Sequence, residues 1–441
     1  MKLARALPLA TLTAAVAAAT QAQAQAQTEI TVATVNNNDM VIMQSLTDEF
    51  EKAHPDIELD WVVLEENVLR QRMTSDIATD GGQFDVMTIG TYEVPMWGER
   101  GWLVPFEDLP QAYDEGDLLR PVRDGLSHDG SLYALPFYGE SSMMFYRTDL
   151  FEEAGIEMPE QPSWEEVRDW AEELHDPDNE VAGICLRGKP GWGENMAFVS
   201  TLVNTFGGRW FDEDWNPELN SPEWQEAIGF YVDLLDNYGP PGVSSNGFNE
   251  NQALFSSGKC AMWVDATSAA GRIYDPDESE VADKLGFAPA PVAETPKGSH
   301  WLWSWALAIP ASSEKQEAAR TFIEWATSRE YIELVGETEG WTSVPPGTRE
   351  STYANENYQE AAPFADFVLQ AMQEADPTDS TLKPSPYTGV QFVGIPEFQS
   401  IGTQVGQTIA SALTGDASVE EALETAQRST ERAMRRAGYI D

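Results

Sequence analysis

The chain is poor in positive charge, in cysteine and in histidine, and each shortage narrows what the protein can do. Its 441 residues hold 26 lysines and arginines against 74 aspartates and glutamates, which gives a net charge of −48. Nucleic acid is not an expected partner, because phosphates are bound by clustered basic side chains. The four histidines lie far apart without ligand spacing, so a zinc or iron site is not expected. We expect neither a metal nor a cofactor.

The common motifs of enzymes are missing as well. The sequence has no GxxxxGK[ST] phosphate loop, no GxSxG nucleophile elbow and no HExxH zinc motif. A glycine-rich loop at residues 188–193 does not match GxGxxG, and the acidic clusters at residues 176–178 and 212–214 do not match a calcium loop. These clusters are typical of solvated turns.

Two explanations fit the acidity. An acidic surface keeps a protein solvated in salty surroundings, where counter-ions screen its self-repulsion, or it binds cations. We favour the first, which is typical of a halophilic or marine host. Because 42% of the residues are hydrophobic and 15 are tryptophan, the chain is not a disordered acidic segment.

Residues 1–26 have the pattern of a secretory signal peptide. Lys2 and Arg5 precede an apolar run, and small residues in Ala-Gln-Ala spacing follow it, which predicts cleavage near Ala26. No cysteine follows the run directly, so a lipid anchor is not expected. No later stretch has about 18 unbroken apolar residues, so no membrane span is expected either. In an oxidising compartment, Cys185 and Cys260 form a disulfide if their strands are neighbours, and otherwise stay buried free thiols.

The alternation of patterns predicts an α/β fold. Residues 30–35, 57–63 and 84–89 are β-branched or alternating strands, and helices lie between them, which is typical of a doubly wound parallel sheet. Asp39 is the predicted N-cap of a helix with Ile42, Leu46 and Phe50 on one face. Further strands are predicted at 181–186, 260–264, 285–290 and 306–309, and the last hundred residues are mainly helical.

Residues 133–150 are predicted to connect two lobes. We expect Pro136 to break the first strand of this segment and Gly139 to supply an unusual backbone angle. Glu140 and Ser141 then face a polar small molecule held between the lobes.

Aromatic residues recur beside hydrogen-bonding side chains at the predicted ends of strands. Tyr92 adjoins Glu93, and Trp263 is followed by Asp265. Sugars and polyols combine apolar C–H faces with many hydroxyl groups, so they are held by aromatic rings and planar polar groups. Core packing explains aromatic residues equally well, and an ion pair explains Arg187 and Asp265.

Several segments together resemble the extracellular solute-binding proteins of sugar ABC importers. They are TEITVATVNN, FDVMTIGTYE, LYALPFYGESSMMFYRTDLFEEAGIEMPEQPSWEEV, GKCAMWVDATSAAG, GFAPAPV and WLWSWALAIP. GESSMMFYR, WLWSWALAIP and PYTGVQFVGIPEFQSIGT resemble the sorbitol- and mannitol-binding branch in particular. Cys260 departs from the family, in which a small apolar residue is usual.

The resemblance implies a two-lobed periplasmic-binding-protein fold, each lobe a mostly parallel sheet flanked by helices, with a helical C-terminal extension. The first lobe would comprise residues 27–138 and 285–338, and the second residues 139–284 and 339–441. It also implies a monomer in the periplasm that closes on a linear polyol and delivers it to a permease and its ATPase. The implied ligand-binding residues are Asn36, Asn37, Asn38, Thr91, Tyr92, Glu140, Ser141, Arg187, Trp192, Asn195, Trp263, Asp265, Trp303 and Tyr387.

Two other functions stay open. A mono- or disaccharide has the same surface chemistry as a polyol. A secreted glycosidase needs two carboxylates, for which Glu140 and Asp265 are the candidates.

Overall fold

The chain builds two main β-sheets with helices around each, and one short two-stranded sheet. The computed structural model describes residues 27–441, and the predicted signal peptide lies outside the described residues. The strands are β1 Thr28–Val35, β2 Ile57–Leu64, β3 Val86–Gly90, β4 Ser127–His128, β5 Ser131–Leu132, β6 Leu135–Glu140, β7 Ser142–Arg147, β8 Ala182–Cys185, β9 Cys260–Ala266, β10 Leu285–Pro289 and β11 Trp303–Ala308.

The helices cover the faces of both sheets and form the C-terminal part of the chain. They are α1 Asn38–Ser45, α2 Thr47–Ala53, α3 Glu66–Ala78, α4 Glu93–Glu99, α5 Arg120–Gly125, α6 Thr148–Ala154, α7 Trp164–Leu174, α8 Asn195–Thr205, α9 Pro222–Tyr238, α10 Phe248–Ser256, α11 Ala270–Ile273, α12 Gln316–Ala326, α13 Arg329–Thr338, α14 Glu350–Tyr353, α15 Glu356–Ala361, α16 Ala365–Glu374, α17 Phe398–Leu413 and α18 Val419–Ala437.

The first sheet has the order β2-β1-β3-β11-β6, and the second has the order β10-β7-β9-β8. β1 runs parallel to β2 and β3, whereas β11 runs antiparallel to both of its neighbours. In the second sheet only β8 and β9 are parallel, because β7 runs antiparallel to β9 and β10. The two α/β lobes are confirmed, but "mostly parallel" is wrong. In the two main sheets, every antiparallel pair involves β7 or β11, the strands that the chain enters directly after crossing from the other sheet. β4 and β5 form a separate antiparallel pair.

The crossings between the sheets revise two predicted boundaries. β6 and β7 lie in different sheets and are separated by Ser141 alone. β10 belongs to the second sheet, so the chain returns to the first lobe after Pro289 and not at residue 285 as predicted. Part of the segment assigned to the second lobe also packs on the first, because the buried Arg349 donates to Asp117 at 3.2 Å and to the carbonyl oxygen of Thr327 at 3.0 Å.

The first crossing differs from its prediction in two details. Pro136 lies within β6 and does not break it, because β6 is an edge strand and an edge tolerates a missing N–H donor. Gly139 does not have a positive φ. Its Cα lies against the backbone of Gly347, and a Cβ on either glycine would collide with the other residue. Close approach of two backbones therefore explains Gly139.

Two of the predicted helix starts are confirmed, and a third is wrong. Ser163 and Glu166 form the predicted capping box of α7, and Ser221 caps α9 with its hydroxyl group. Asp39 is not an N-cap, because α1 begins at Asn38 and places Asp39, buried, in its first turn. The predicted single helix is two helices, separated at Leu46.

A disulfide joins Cys185 to Cys260 in the second sheet. The two residues lie on the neighbouring strands β8 and β9, and their Cα atoms are 5.9 Å apart. The disulfide alternative is therefore the correct one. Within residues 27–441, no helix has the length and apolar character needed to span a bilayer.

Candidate functional site

A narrow cleft with an interior volume of about 40 Å³ lies between the two lobes. It lies near the carboxyl ends of strands, where open α/β sheets bind ligands. Residues of both lobes and of the later segments line it: Asn37, Glu66, Arg70, Glu140, Arg187, Trp192, Gly193, Ala197, Phe248, Trp301, Trp303, Trp305 and Gln391.

Arg187 is held in the cleft by Asp265. The two residues are distant in sequence, but Arg187 follows β8 and Asp265 lies on the neighbouring strand β9. Arg187 Nε and Nη2 donate to the carboxylate at 3.0 and 2.6 Å, and Nη1 donates to the carbonyl oxygen of Gly193 at 2.8 Å. A guanidinium has five N–H groups, and three of them make these contacts, so two remain for a ligand. Trp263 Nε1 fixes the carboxylate from behind with a hydrogen bond of 3.1 Å.

Electrostatics favour the charged form of Arg187. Burial lowers the pKa of Arg187, but the adjacent Asp265 carboxylate raises it by more, so the net shift is upward. The Asp265 side chain has no solvent exposure. Because its oxygens are taken by Arg187, Trp263 and the backbone N–H of Ala266, Asp265 positions the arginine and does not reach into the cleft.

Arg70 enters the cleft from the first lobe. It is buried, and it donates to Glu66 at 2.9 Å and to Glu93 at 2.6 Å. Its guanidinium carbon lies 4.1 Å from the ring centroid of Trp192, and 4.7 and 5.0 Å from those of Trp305 and Trp303. Burial lowers the pKa of Arg70, but the two glutamates raise it above its usual value. Trp192 comes from the second lobe, so this stack joins the two lobes across the cleft.

Glu140 lies at the end of β6, where the chain leaves the first sheet. Ser268 of the second lobe donates its hydroxyl proton to the carboxyl group at 2.6 Å. Burial raises the pKa of Glu140 to about 8, and the hydrogen bond from Ser268 opposes that rise only in part. The carboxyl group is therefore mostly protonated at neutral pH and is able to donate as well as accept a hydrogen bond.

Five of the residues named from the sequence line the cleft together: Asn37, Glu140, Arg187, Trp192 and Trp303. Asp265, Trp263 and Asn195 lie behind that surface. Asn195 accepts from the backbone N–H of Gly191 at 3.2 Å and donates to the carbonyl oxygen of Gly406 at 2.9 Å, so it fixes the glycine-rich loop against α17.

The remaining named residues lie elsewhere. Ser141 is buried in the crossing, where its N–H donates to Thr267. Asn36 contributes only its carbonyl oxygen, which accepts from Asn249 of the second lobe at 3.2 Å. Asn38 lies beside a separate small pocket at the start of α1.

Thr91, Tyr92 and Tyr387 also lie outside the cleft. Thr91 and Tyr92 line a neighbouring cavity, and the hydroxyl of Tyr92 donates to the carbonyl oxygen of Ile395 at 3.0 Å. The hydroxyl of Tyr387 accepts from the backbone N–H of Trp210 at 3.0 Å, within the second lobe. The residue that the C-terminal segment contributes to the cleft is instead Gln391.

Several lining residues were not named from the sequence. Glu66 and Arg70 lie four residues apart at the start of α3, directly after β2, so a strand–helix junction was the available signal. Trp305 lies two residues from Trp303, and both belong to β11, where residues at this spacing share a face. Gln391 has no comparable signal.

The carboxylate pair expected for a glycosidase, Glu140 and Asp265, does not fit this geometry. A glycosidase needs two carboxyl groups that reach the scissile bond, one as the acid and the other as nucleophile or base. Glu140 lines the cleft, but Asp265 is buried behind Arg187 with its oxygens occupied.

Comparison with known proteins gives a consistent result. The family model described as "Bacterial extracellular solute-binding protein" matches residues 34–333. A mannitol-binding protein of Pseudomonas aeruginosa is 60% identical over 410 residues, which cover 93% of this chain and 94% of that protein. The crystal structure of an ABC transporter solute-binding protein from Agrobacterium vitis S4, with bound D-mannitol, is 58% identical, with a TM-score of 0.93, and covers 94% of this chain and 100% of that one.

A more distant structure shows the same fold. An ABC transporter solute-binding protein from Agrobacterium radiobacter K84, in complex with ribitol, has a TM-score of 0.81 at 24% identity and covers 92% of this chain and 99% of that one. The relatives are solute-binding proteins and not enzymes, and the family implies a location outside the cytoplasmic membrane. The chain belongs to the bacterial extracellular solute-binding proteins and is the substrate-binding component of an ABC importer.

Proposed function

We propose that this protein binds mannitol, or a linear hexitol like it, in the interlobe cleft and delivers it to a membrane permease and its ATPase. The observation that carries the proposal is the position of Arg187. Asp265 holds its guanidinium so that two N–H groups of the arginine remain available in the cleft, next to several indole rings. The 60% identity to a mannitol-binding protein supports the same ligand class.

The lining of the cleft suits an uncharged guest with many hydroxyl groups. Arg70 is paired with Glu66 and Glu93, and Arg187 with Asp265, so neither arginine offers an unpaired positive charge to an anionic ligand. Trp192 and Trp303 offer ring surface to the C–H groups of a carbon chain. Arg187 donates hydrogen bonds to hydroxyl oxygens, and Glu140 donates or accepts them.

Binding is coupled to closure in this proposal. Contacts across the cleft already join the lobes. Lys189 Nζ lies 2.8 Å from Glu65 Oε1, and Asn67 donates to the carbonyl oxygen of Pro190 at 3.4 Å. A ligand favours the closed form only through contacts that it makes better in that form. A hexitol that bridges Arg187 and Glu140 contacts both lobes at once, so hinge closure excludes water around it.

The cellular setting completes the proposal. The signal peptide predicted at residues 1–26 directs the chain to the periplasm and is then removed, and a monomer suffices because one chain supplies every lining residue. N-terminal sequencing of the protein from a periplasmic fraction checks the cleavage, and a first residue other than 27 or 28 would move the site.

Calorimetry tests the ligand. Mannitol, sorbitol, ribitol, mannose and maltose are titrated into the mature protein, and the recovered ligand is analysed for chemical change. We expect a hexitol to bind at least tenfold more tightly than the two sugars and to be recovered intact. Tight binding of a saccharide without hexitol binding, or turnover of any glycoside, would overturn the proposal.

A further inference from the structure

Gln391 has one end of its amide fixed and the other end unpaired. It lies between α16 and α17 and is 3% exposed. Its Nε2 donates to the carbonyl oxygen of Leu302 at 3.0 Å. Because a carbonyl oxygen only accepts, it selects the NH₂ end of the amide. The Oε1 atom is buried without a hydrogen-bond partner among residues 27–441, and Gln391 lines the cleft.

The backbone around Gln391 is held on both sides. Asn204 donates to the carbonyl oxygen of Val390 at 3.1 Å, and Ser380 donates to that of Gly389 at 2.7 Å. Phe392 is buried and packs on Tyr92, with ring centroids 5.5 Å apart. The backbone that carries Gln391 is therefore held in place beside the cleft, while its amide NH₂ group stays bonded to Leu302.

Two indole N–H groups from residues lining the same cleft are also unpaired. Trp192 Nε1 and Trp301 Nε1 are buried without a partner among the described residues. Most buried polar groups in proteins are paired. Two unpaired donors and one unpaired acceptor therefore indicate a ligand that both accepts and donates hydrogen bonds. A hydroxyl group donates one hydrogen bond and accepts up to two.

We propose that Gln391 Oε1 accepts a hydrogen bond from one hydroxyl group of the bound polyol and so determines which hydroxyl configuration the cleft accepts. The inference rests on the proposed function and deepens it. A site that pairs a buried polar group with a substrate hydroxyl discriminates strongly against guests that lack that hydroxyl, because the protein group is then left unpaired.

The test compares Gln391→Met with a matched control. Methionine keeps the length of the side chain but removes the acceptor. Gln427→Met is the control, because Gln427 is also buried but both ends of its amide are paired, with Pro217 and Leu219, away from the cleft. We expect Gln391→Met to weaken mannitol binding about ten- to one-hundredfold in calorimetry, and Gln427→Met to lower the Tm while leaving the affinity unchanged.

A set of deoxy ligands identifies the contact. Mannitol has two-fold symmetry, so a ligand that lacks one hydroxyl group can turn end for end, and the three symmetric dideoxy forms are used because each lacks both members of an equivalent pair. We expect one of them to bind the wild-type protein at least as weakly as Gln391→Met binds mannitol, with a less than additive loss when both changes are combined. Wild-type affinity in Gln391→Met, or fully additive losses for all three deoxy ligands, would overturn the inference.

A second variant guards against misfolding. Gln391→Asn keeps the amide but withdraws its oxygen by one methylene group, and it should give a smaller loss at the same hydroxyl position. An unchanged affinity in this variant and unchanged binding of every deoxy ligand would together refute the inference. If the wild-type protein binds no hexitol at all, the proposed function fails first. If it binds mannitol and the variants match it, only the role of Gln391 fails.

Discussion

Two buried arginines face the cleft from opposite lobes, and their surroundings differ. Arg187 is held at one edge by Asp265 and a backbone carbonyl group, and two of its N–H groups stay free. Arg70 is held by Glu66 and Glu93, and it lies within about 5 Å of three indole rings, one of them from the other lobe. We infer that Arg187 acts on the ligand, whereas Arg70 acts on the contact between the lobes.

The largest expected effect is the loss of Arg187. Arg187→Ala removes the free N–H donors and leaves Asp265 buried without its partner, so mannitol binding should weaken by about 2–4 kcal/mol, about thirty- to one-thousandfold. Calorimetry measures the affinity. Arg147→Ala is the control, because Arg147 makes a similar two-point contact with Asp149, at 2.7 and 2.6 Å, on the same lobe. Equal losses in the two variants would contradict the assignment.

The next effect concerns Asp265. Asp265→Asn keeps the shape of the side chain but removes its charge, so Arg187 is held less firmly and binding should weaken by about 1–2 kcal/mol, about five- to thirtyfold. Because Asp265 acts through Arg187, the substitution should cost little more in an Arg187→Ala background. A double-mutant cycle measures this, and additive losses would mean that Asp265 contacts the ligand itself.

A smaller effect is expected for Arg70→Lys. Lysine keeps the charge but lacks the flat face that stacks on Trp192, so closure should weaken by about 0.5–1.5 kcal/mol. Small-angle scattering should then show less compaction at a given mannitol concentration. Arg72→Lys on the same helix is the control, because Arg72 lies 5.6 Å from the Phe84 ring instead of those in the cleft. Equal compaction in the two variants would remove Arg70 from the closure contact.

A separate effect, on stability and not on affinity, is the dependence of stability on pH. Burial raises the pKa of Glu140 to about 8, and those of Asp39 and Glu194 to about 7, from ordinary values near 4. The folded chain therefore binds more protons than the unfolded chain between these values. The stabilisation is complete below about pH 4.5 and is lost as the pH rises through about 8. Calorimetric Tm values at fixed ionic strength should fall over this range without ligand.

Glu140→Gln separates the contribution of Glu140 to the fall of Tm with pH from the contribution of the net charge. The variant should show a shallower fall of Tm between about pH 5 and pH 8, because its amide does not titrate. Glu107→Gln, at an exposed position, should keep the wild-type slope. A slope that Glu140→Gln leaves unchanged would show that this carboxyl group does not titrate in that range.

Local sequence patterns were sufficient for most elements and for Arg187. The capping box at Ser163 and the strand that ends before Arg187 are visible in a short window of sequence. Asp265 was named for the same reason, since polar residues at strand ends meet along one edge of a sheet. Its position behind Arg187 depends on the neighbouring strands, which a local pattern does not specify.

The residues that were missed depend on tertiary contacts. Arg70 has the pattern of a solvated helix residue, and only the meeting of β11 with the second-lobe loop surrounds it with indole rings. Gln391 lies in a segment without helix or strand periodicity. β10 is a five-residue apolar strand. A short apolar pattern predicts a strand but not which of the two sheets that strand joins.

The contact between Gly139 and Gly347 has a mechanical consequence. Two connections between the lobes pass each other there without side chains, and the N–H of Gly139 donates to the carbonyl oxygen of Pro346 at 2.8 Å. We expect this backbone contact to act as a pivot when the two lobes rotate relative to each other. In the transport cycle that we propose, the ligand is released when the lobes rotate about this pivot. Gly347→Ala would place a methyl group against the Gly139 backbone, and it should therefore change how far the cleft opens.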